Sequence, residues 1–253
     1  MSNNIRNGRK MVRSRALTLT VAALTVGLLS SCSSDPAYTL EQLKSVSSAD
    51  DAPANFELSE TIDDRGGADL YQEQVGLYRA GGGTANCEEW FAAQAMAIKL
   101  DFENGEQGLI HEIARYTPLD DFPVFDLPRV LGRLFEDEET AEVFMNAVRK
   151  AAEACPGGYA TIEAAYGGLS APALAADSVD VTSVAEMPEV DQYFAVVETT
   201  SDQDYAQSYR WIFVRSGNAV LATIAGINAG HTIDYSPIDI IAFATTQRLL
   251  DSK

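Results

Sequence analysis

The chain has 253 residues, of which 37 are acidic and 18 basic, so its formal net charge at pH 7 is −19. This excess of acids argues against a nucleic-acid-binding protein, because contacts to phosphates depend on lysine and arginine. Hydrophobic residues make up 46% of the chain, which is enough for one domain with a sizeable core.

The N-terminus has the layout of a secretory signal. Residues 1–15 carry five basic residues and no acid, and residues 16–29 form an apolar run without charge. A transmembrane helix needs about 20 apolar residues, whereas this run is shorter and contains three threonines. A buried N-terminal helix would leave the five basic residues unexplained. The pattern therefore predicts a signal peptide over residues 1–31.

The signal ends in the order Leu29-Ser30-Ser31-Cys32, which resembles the bacterial lipobox. The resemblance implies that the Cys32 thiol takes a diacylglyceryl group and that the chain is cut just before it, which opens the new N-terminus to acylation. Each buried methylene adds about 0.8 kcal/mol to membrane binding, so several acyl chains hold far more firmly than one. We therefore expect a lipid anchor on the extracytoplasmic face of the cell membrane.

Removal of residues 1–31 leaves 13 basic and 37 acidic residues, and thus a net charge of −24. This charge opposes docking on anionic lipid, so attachment depends on the acyl chains. Two cysteines remain, Cys87 and Cys155, and an even pair in an oxidising compartment predicts a disulfide. A thiol nucleophile or a metal site would need histidines nearby, and the chain has only His111 and His231.

Three features precede the first long helix. Residues 32–51 are polar and predict a tether, headed by the lipidated cysteine, that spaces the domain from the membrane. Phe56 and Leu58, with Ile62, predict a first strand. Three glycines at 81–83 would suit a phosphate-binding loop, but no lysine with a following serine or threonine stands at the Walker spacing. A flexible loop is the prediction there.

Residues 86–155 have helical periodicity, from which four helices are predicted. The first has Asn86 as its cap and Glu89 three residues on, which is a capping-box pattern. The second covers EQGLIHEIARY, with a β-hairpin through Asn104-Gly105 as the alternative. The third covers DLPRVLGRLF, with Asp126 as its cap.

The fourth helix, DEETAEVFMNAVRKAAEAC, has the strongest pattern. Acids occupy its first turn, Lys150 lies near its end, and residues 156–158 (Pro-Gly-Gly) stop it. A disulfide between Cys87 and Cys155 would tie the start of the helical section to its end.

From Asp177 onward the sequence predicts strands and a last helix. The stretches DSVDVTSVAEM and QYFAVVETT are strand-like, and SYRWIFVR and AVLATIAGI predict a β-hairpin about residues 216–218. Ser236 is the predicted cap of the C-terminal helix, with Pro237 at its first position and Asp239 at its third. The fold class is therefore α+β: an antiparallel sheet packed by helices, in one domain over residues 52–253.

No catalytic motif, metal site or cofactor is predicted. His231, with Asp234 three residues on, is the best candidate for a catalytic base, and a hydrolase that uses it is the third hypothesis. His111 is expected on a half-exposed helix. Acids at Asp120-Asp121 and at residues 136–139 would suit acid/base chemistry or calcium, but the second group stands at a helix start, where acids favour the helix dipole.

Aromatic side chains in the predicted helices and strands are expected in the core. A hollow core between helices and sheet would instead make the protein a lipid or glycolipid carrier, which is the second hypothesis. Periodicity does not separate the two. The residues concerned are Trp90, Phe144, Tyr193, Phe194, Trp211 and Phe213.

The stretches DDAPANF, EACPGG, FVRSGNAVLATIAGI and QRLL, together with the lipobox and Cys87, resemble the actinobacterial sensor-type lipoproteins related to the extracellular domain of the PknH Ser/Thr kinase. The resemblance implies one α+β domain that binds an unidentified extracytoplasmic ligand. That kinase has two disulfides, whereas this chain forms at most one and has no kinase domain. The leading hypothesis is thus a non-enzymatic, membrane-anchored lipoprotein with a sensor-like domain, whose ligand-binding residues are unknown.

Overall fold

The computed structural model describes most of the chain after residue 36. The described residues are 37–47, 52–59, 63–66, 87–94, 96, 98, 109–119, 124–157, 159–160, 165–166, 169–170, 175–201, 206–228 and 234–253. All of them belong to one compact unit, Ser34–Lys253.

The helices and strands of this unit have the following bounds. The helices are α1 (Leu40–Lys44), α2 (Glu88–Gln94), α3 (Glu138–Ala154) and α4 (Ser236–Asp251). The strands are β1 (Phe56–Ser59), β2 (Asp63–Gly66), β3 (Leu109–Pro118), β4 (Val124–Leu134), β5 (Tyr159–Ala160), β6 (Ala165–Tyr166), β7 (Leu169–Ser170), β8 (Ala175–Ala176), β9 (Ser178–Thr182), β10 (Gln192–Ser201), β11 (Ala206–Ser216) and β12 (Ala219–Asn228).

In the described part of the chain, eight strands form one antiparallel sheet. Its order is β1-β3-β4-β12-β11-β10-β9, and β2 also pairs with β3. The remaining short strands form two ladders, β5 with β8 and β6 with β7. The predicted hairpin is confirmed as β11–β12, with Ser216 opposite Ala219. Its turn needs a left-handed residue, which Gly217 supplies at φ 54°.

Helices cover both faces of the sheet. Successive residues of a strand point to opposite faces. In β11, Trp211 and Phe213 point to one face, which we call the front, and Ile212 points to the other, the back. The front face packs against α2 and α3, and the back face packs against α1 and α4. The predicted α+β class, an antiparallel sheet packed by helices with one at the C-terminus, is therefore confirmed.

The predicted disulfide is also confirmed. Cys87 and Cys155 are bonded, with their Cα atoms 4.5 Å apart and 68 residues between them in sequence. Both are buried in the front-face core. The bridge joins the start of α2 to the residue that ends α3, as the sequence predicts.

The second and third helices predicted within residues 86–155 are wrong. LIHEIARYTP forms strand β3 and VFDLPRVLGRL forms strand β4. A register shift between Glu112 and Ala114 leaves Ile113 bulged, and such a bulge breaks the two-residue alternation of a strand. His111 is therefore buried in a strand rather than half-exposed on a helix. The alternative turn at Asn104-Gly105 lies outside the described residues.

The other predicted helices are confirmed, with one change at a cap. Asp137 caps α3 through its carboxylate, which accepts the backbone N–H of Thr140 at 2.8 Å. This bond lowers the pKa of the Asp137 carboxyl. Helix α4 begins at Ser236, and Tyr235 rather than Ser236 occupies the cap position, so Pro237 and Asp239 each stand one position later than predicted. The predicted cap Asn86 of the first helix lies outside the described residues.

The predicted tether is shorter than residues 32–51. Tyr38, Leu43 and Val46 are buried in the back-face core, and α1 packs on β3 and β4. Thr39 and Gln42 form a capping box, so the polar side chains that favour a tether instead start a helix. The described fold therefore already includes Tyr38, within the segment predicted as a tether.

Candidate functional site

The sheet has two ends with different chemistry. At the first, which we call the latch end, lie Tyr38, the β11–β12 turn and the start of α3. At the second, the loop end, β4 begins beside the end of β12, and β10 connects to β11. Functional residues often lie on loops that a rigid scaffold positions, so the loop end is the first place to look for a site.

The latch end is held by Asn218, the second residue of the turn. Its Oδ1 accepts the backbone N–H of Tyr38 at 2.7 Å, and its Nδ2 donates to the carbonyl of Phe135 at 3.0 Å. The Tyr38 hydroxyl bonds the hydroxyl of Ser216 at 3.1 Å. We call Tyr38, Ser216 and Asn218 the latch, because they join the first residues of the fold to its central hairpin.

On the back face near the loop end, Arg210 forms an ion pair with Asp239 of α4. The guanidinium donates to both carboxylate oxygens, at 2.7 and 3.1 Å, and also to the carbonyl of Ser183. Its carbon lies 4.8 Å from the ring centre of Tyr235, whose hydroxyl bonds Ser208 at 2.6 Å. A bidentate pair of this kind is strong and geometrically specific, so it fixes the start of α4 on the sheet.

On the front face, Glu198 is the acceptor of a buried polar cluster. It receives hydrogen bonds from the indole N–H groups of Trp90 and Trp211 and from the Gln94 amide at 2.6 Å. Only 3% of Glu198 is exposed. We call Glu198, Trp90, Gln94 and Trp211 the Glu198 cluster. Because a buried carboxylate is costly without donors, these bonds bind α2 to strands β10 and β11.

The Glu198 cluster and the Arg210 pair lie back to back. The Ser208 hydroxyl of β11 donates to the backbone carbonyl of Glu198 in β10 at 3.1 Å. This hydrogen bond connects the two groups. Neither is arranged as a nucleophile beside a base. Their role is to hold α2, α4 and strands β10 and β11 in place.

Arg133 is a third buried polar residue, on the front face toward the latch end. Its Nη1 donates to the carbonyl of Met96 at 2.6 Å, and its guanidinium carbon lies 4.7 Å from the Phe135 ring centre. Burial lowers the pKa of Arg133 to about 10, so the side chain stays charged at neutral pH. Met96 follows the C-terminal end of α2, and a cation at this position interacts favourably with the negative end of the helix dipole.

The sequence-predicted site residues are only partly brought together. Cys87 and Cys155 form the disulfide, whereas Cys32, His231 and Asp120-Asp121 lie outside the described residues. The Asp234 carboxylate accepts the backbone N–H of Ser236, at 2.9 Å, and its bonds to Ser236 lower its pKa. Residues 136–139 are exposed at the start of α3, where acids suit the helix dipole. Among the described residues, no group of three or more histidine, cysteine or acidic side chains could hold a metal ion.

An open groove lies between the ends of α1 and α4, with a volume of about 600 Å³. Its lining is formed by Ser45, Phe243, Ala244, Gln247, Arg248, Asp251 and Ser252. The groove is open to solvent and has polar side chains along it, so it lacks the enclosed apolar surface that binding of an acyl chain requires.

Five of the six aromatic side chains expected in the core are buried there, and Tyr193 is 43% exposed. Trp211 and Phe213 stack with ring centres 6.4 Å apart, and Trp90 meets Trp211 edge-on at 5.9 Å. Phe194 stacks on Phe213 at 5.4 Å. These contacts join the aromatic side chains of the front-face core between α2, α3 and the strands.

Sequence reasoning did not single out Glu198, Arg210 or Arg133. A signal for two of them was present, because each is a charge within a strand that is otherwise rich in apolar and aromatic residues. Glu198 shares a face with Phe194 and Val196. Arg210 shares one with Ile212. Arg133 was hidden by the helical assignment of its strand.

Comparisons with known proteins give little beyond the fold. No family model matches the chain, and no curated protein matches it. One solved structure, the extracellular domain of PknH from Mycobacterium tuberculosis, superposes on 85% of this chain and 93% of its own, with a TM-score of 0.42 and 11% sequence identity. The family resemblance noted in the sequence is thus a distant structural one, and it carries no statement about a ligand. Within the described ranges, no helix is both long and apolar enough to cross a membrane.

Proposed function

We propose that the chain is an exported lipoprotein, anchored through Cys32 to the outer face of the cell membrane. Its α+β domain recognises an extracytoplasmic ligand or partner and catalyses no reaction.

The disulfide is the observation that carries the proposal. A buried Cys87–Cys155 bridge is typical of oxidising compartments outside the cytosol. It uses two of the three cysteines, so Cys32 is left for the thioether that the lipobox pattern implies. The fold also begins close behind Cys32, as expected where an anchor meets a domain.

The arrangement of the polar core favours recognition over catalysis. Glu198 is held by three donors and Arg210 by a bidentate partner, so both are committed to the scaffold. A catalytic carboxylate or base instead stands within reach of a substrate proton. The hydrolase hypothesis rests on His231 with Asp234, and the Asp234 carboxylate already accepts the backbone N–H of Ser236.

The ring contacts among the buried aromatic side chains of the front face favour a sensor-like domain over a lipid carrier. Native mass spectrometry of the folded domain is expected to give the mass of the polypeptide alone. The chain for this measurement has residues 1–32 replaced by an ordinary cleavable signal, so that it is released without lipid. A stoichiometric co-purified amphiphile would instead support the carrier.

The anchor is tested by the mass of the N-terminal peptide and by membrane partition. The wild-type chain is expected to begin at Cys32, to carry the added diacylglyceryl mass and to stay in the membrane fraction. Cys32→Ser is expected to lack that mass, because a serine hydroxyl cannot form the thioether. The released chain with an ordinary signal is the matched control, and it should be soluble.

A wild-type N-terminal peptide with an unmodified Cys32 thiol would contradict the anchor. Membrane partition by itself does not decide the matter, since an uncleaved signal also holds a chain at the membrane. The peptide mass separates the two cases.

A further inference from the structure

Tyr38 is the point at which the chain becomes fixed to the fold. The residue is 4% exposed, and the latch holds its backbone N–H and its hydroxyl. The ammonium of Lys253 lies 4.8 Å from its ring centre. From α1, the Gln42 side-chain amide donates to the carbonyl of Ser252. The N-terminal segment is therefore held between the central hairpin and the end of α4.

The reach from an anchor at Cys32 to Tyr38 is short. Six residue steps separate the two positions, and a fully extended chain spans about 3.3 to 3.6 Å per residue, or about 20 Å in all. The sheet is taller than this, because the 11 residues of β11 extend over about 36 Å. An anchored chain thus keeps its latch end near the bilayer.

Helix α3 runs from the latch end toward the loop end. A Cβ atom on Gly217 would lie 3.6 Å from Oε1 of Glu138 and 3.7 Å from Cε2 of Tyr38, so the first turn of α3 stands beside the latch. The helix has 17 residues, which extend over about 25 Å. Just beyond its end, a Cβ atom on Gly157 would meet the carbonyl of Asp177, and the Asp177 N–H donates to the carbonyl of Thr199 of β10 near the loop end. Positions along α3 therefore differ in their distance from the latch end.

Charge decides whether the domain stands or lies on the membrane. Its net charge without the signal is −24, and exposed acids surround the latch end. Repulsion from anionic headgroups acts within a Debye length of about 8 Å, so it opposes contact of the acidic domain with the surface but does not reach as far as the roughly 20 Å that the chain from Cys32 to Tyr38 can span. The acids concerned are Glu136, Asp137, Glu138, Glu139, Glu189 and Asp191.

We propose that the anchored domain stands with its latch end toward the bilayer and its loop end away from it. This inference rests on the proposed anchor at Cys32. The surface that faces the lipid is built from the latch, the first turn of α3 and the C-terminus. The loop end is then the surface that a macromolecule beyond the membrane meets first.

Two labels on α3 test the orientation. Glu139 and Glu153 are both exposed and stand 14 residues apart, on nearly the same side of the helix, with a separation of about 21 Å along its axis. Each is changed to cysteine in the full lipidated chain and labelled with a donor dye, since Cys87 and Cys155 are bonded and buried. The protein is bound to vesicles of phosphatidylcholine and phosphatidylglycerol that contain a headgroup-labelled acceptor lipid.

The label at Glu139→Cys is expected to transfer energy with at least about twice the efficiency of the label at Glu153→Cys, because it lies about 21 Å nearer the acceptors. Equal transfer, or a reversed order, from protein that stays bound and carries the acyl mass would overturn the orientation alone. Protein that stays free in solution, with no transfer from either label, would overturn the anchor and the orientation with it.

Discussion

Replacing Glu198 with alanine is expected to lower the free energy of unfolding by about 3 to 5 kcal/mol. The change leaves three buried donors without their acceptor, and each unsatisfied group costs about 1 to 3 kcal/mol. Trp90 and Trp211 are the two tryptophans of the chain, and both donate to Glu198. Urea unfolding followed by tryptophan fluorescence therefore reports directly on the Glu198 cluster.

Glu142→Ala is the matched control for that measurement. Glu142 is exposed on α3, and a surface substitution of this kind changes stability by at most about 0.5 kcal/mol. A loss at Glu198→Ala as small as that of the control would mean that the three hydrogen bonds do not hold α2 to the sheet.

Removal of the disulfide in a Cys87→Ala, Cys155→Ala variant is expected to cost about 4 kcal/mol. In the chain-entropy model the cost grows with the length of the loop that the bridge closes in the unfolded chain, and here the two residues are 68 apart. The midpoint of urea unfolding measures it. Alanine is chosen because both sites are buried and a serine hydroxyl would need a partner there.

Reduction of the wild-type protein tests the effect of the bridge without a change of sequence. Wild-type protein that is unfolded and refolded with its bridge open is expected to lose most of its advantage over the double variant. If the oxidised wild type and the double variant unfolded at the same urea concentration, the bridge would make no net contribution to stability.

The elements that the sequence predicts correctly are those with an unambiguous local signal. The C-terminal helix has a helical spacing of apolar residues and buries Ile241 and Leu249. The β11–β12 hairpin has two runs rich in β-branched and aromatic residues, separated by a short turn that contains Gly217. Strands β3 and β4 do not have such a pattern. Both lie within the sheet with helices on each face, so Val130 and Leu131, which are neighbours, both face the protein interior and mimic a helical spacing.

The candidate site could be predicted only in part. The disulfide follows from the compartment and the cysteine count, which need no geometry. The Glu198 cluster joins residues that are 104 and 108 positions apart, and no local pattern links a tryptophan in a helix to a glutamate in a strand. The same holds for Arg210 and Asp239, whose pairing depends on how α4 lies across the back face.

The latch also bears on the order in which an exported chain folds. Tyr38 and Asn218 are 180 residues apart, and closing a loop of that length costs more entropy than closing a hairpin. The amino-terminal segment can dock only when the central hairpin is present, so its docking marks the completion of the domain.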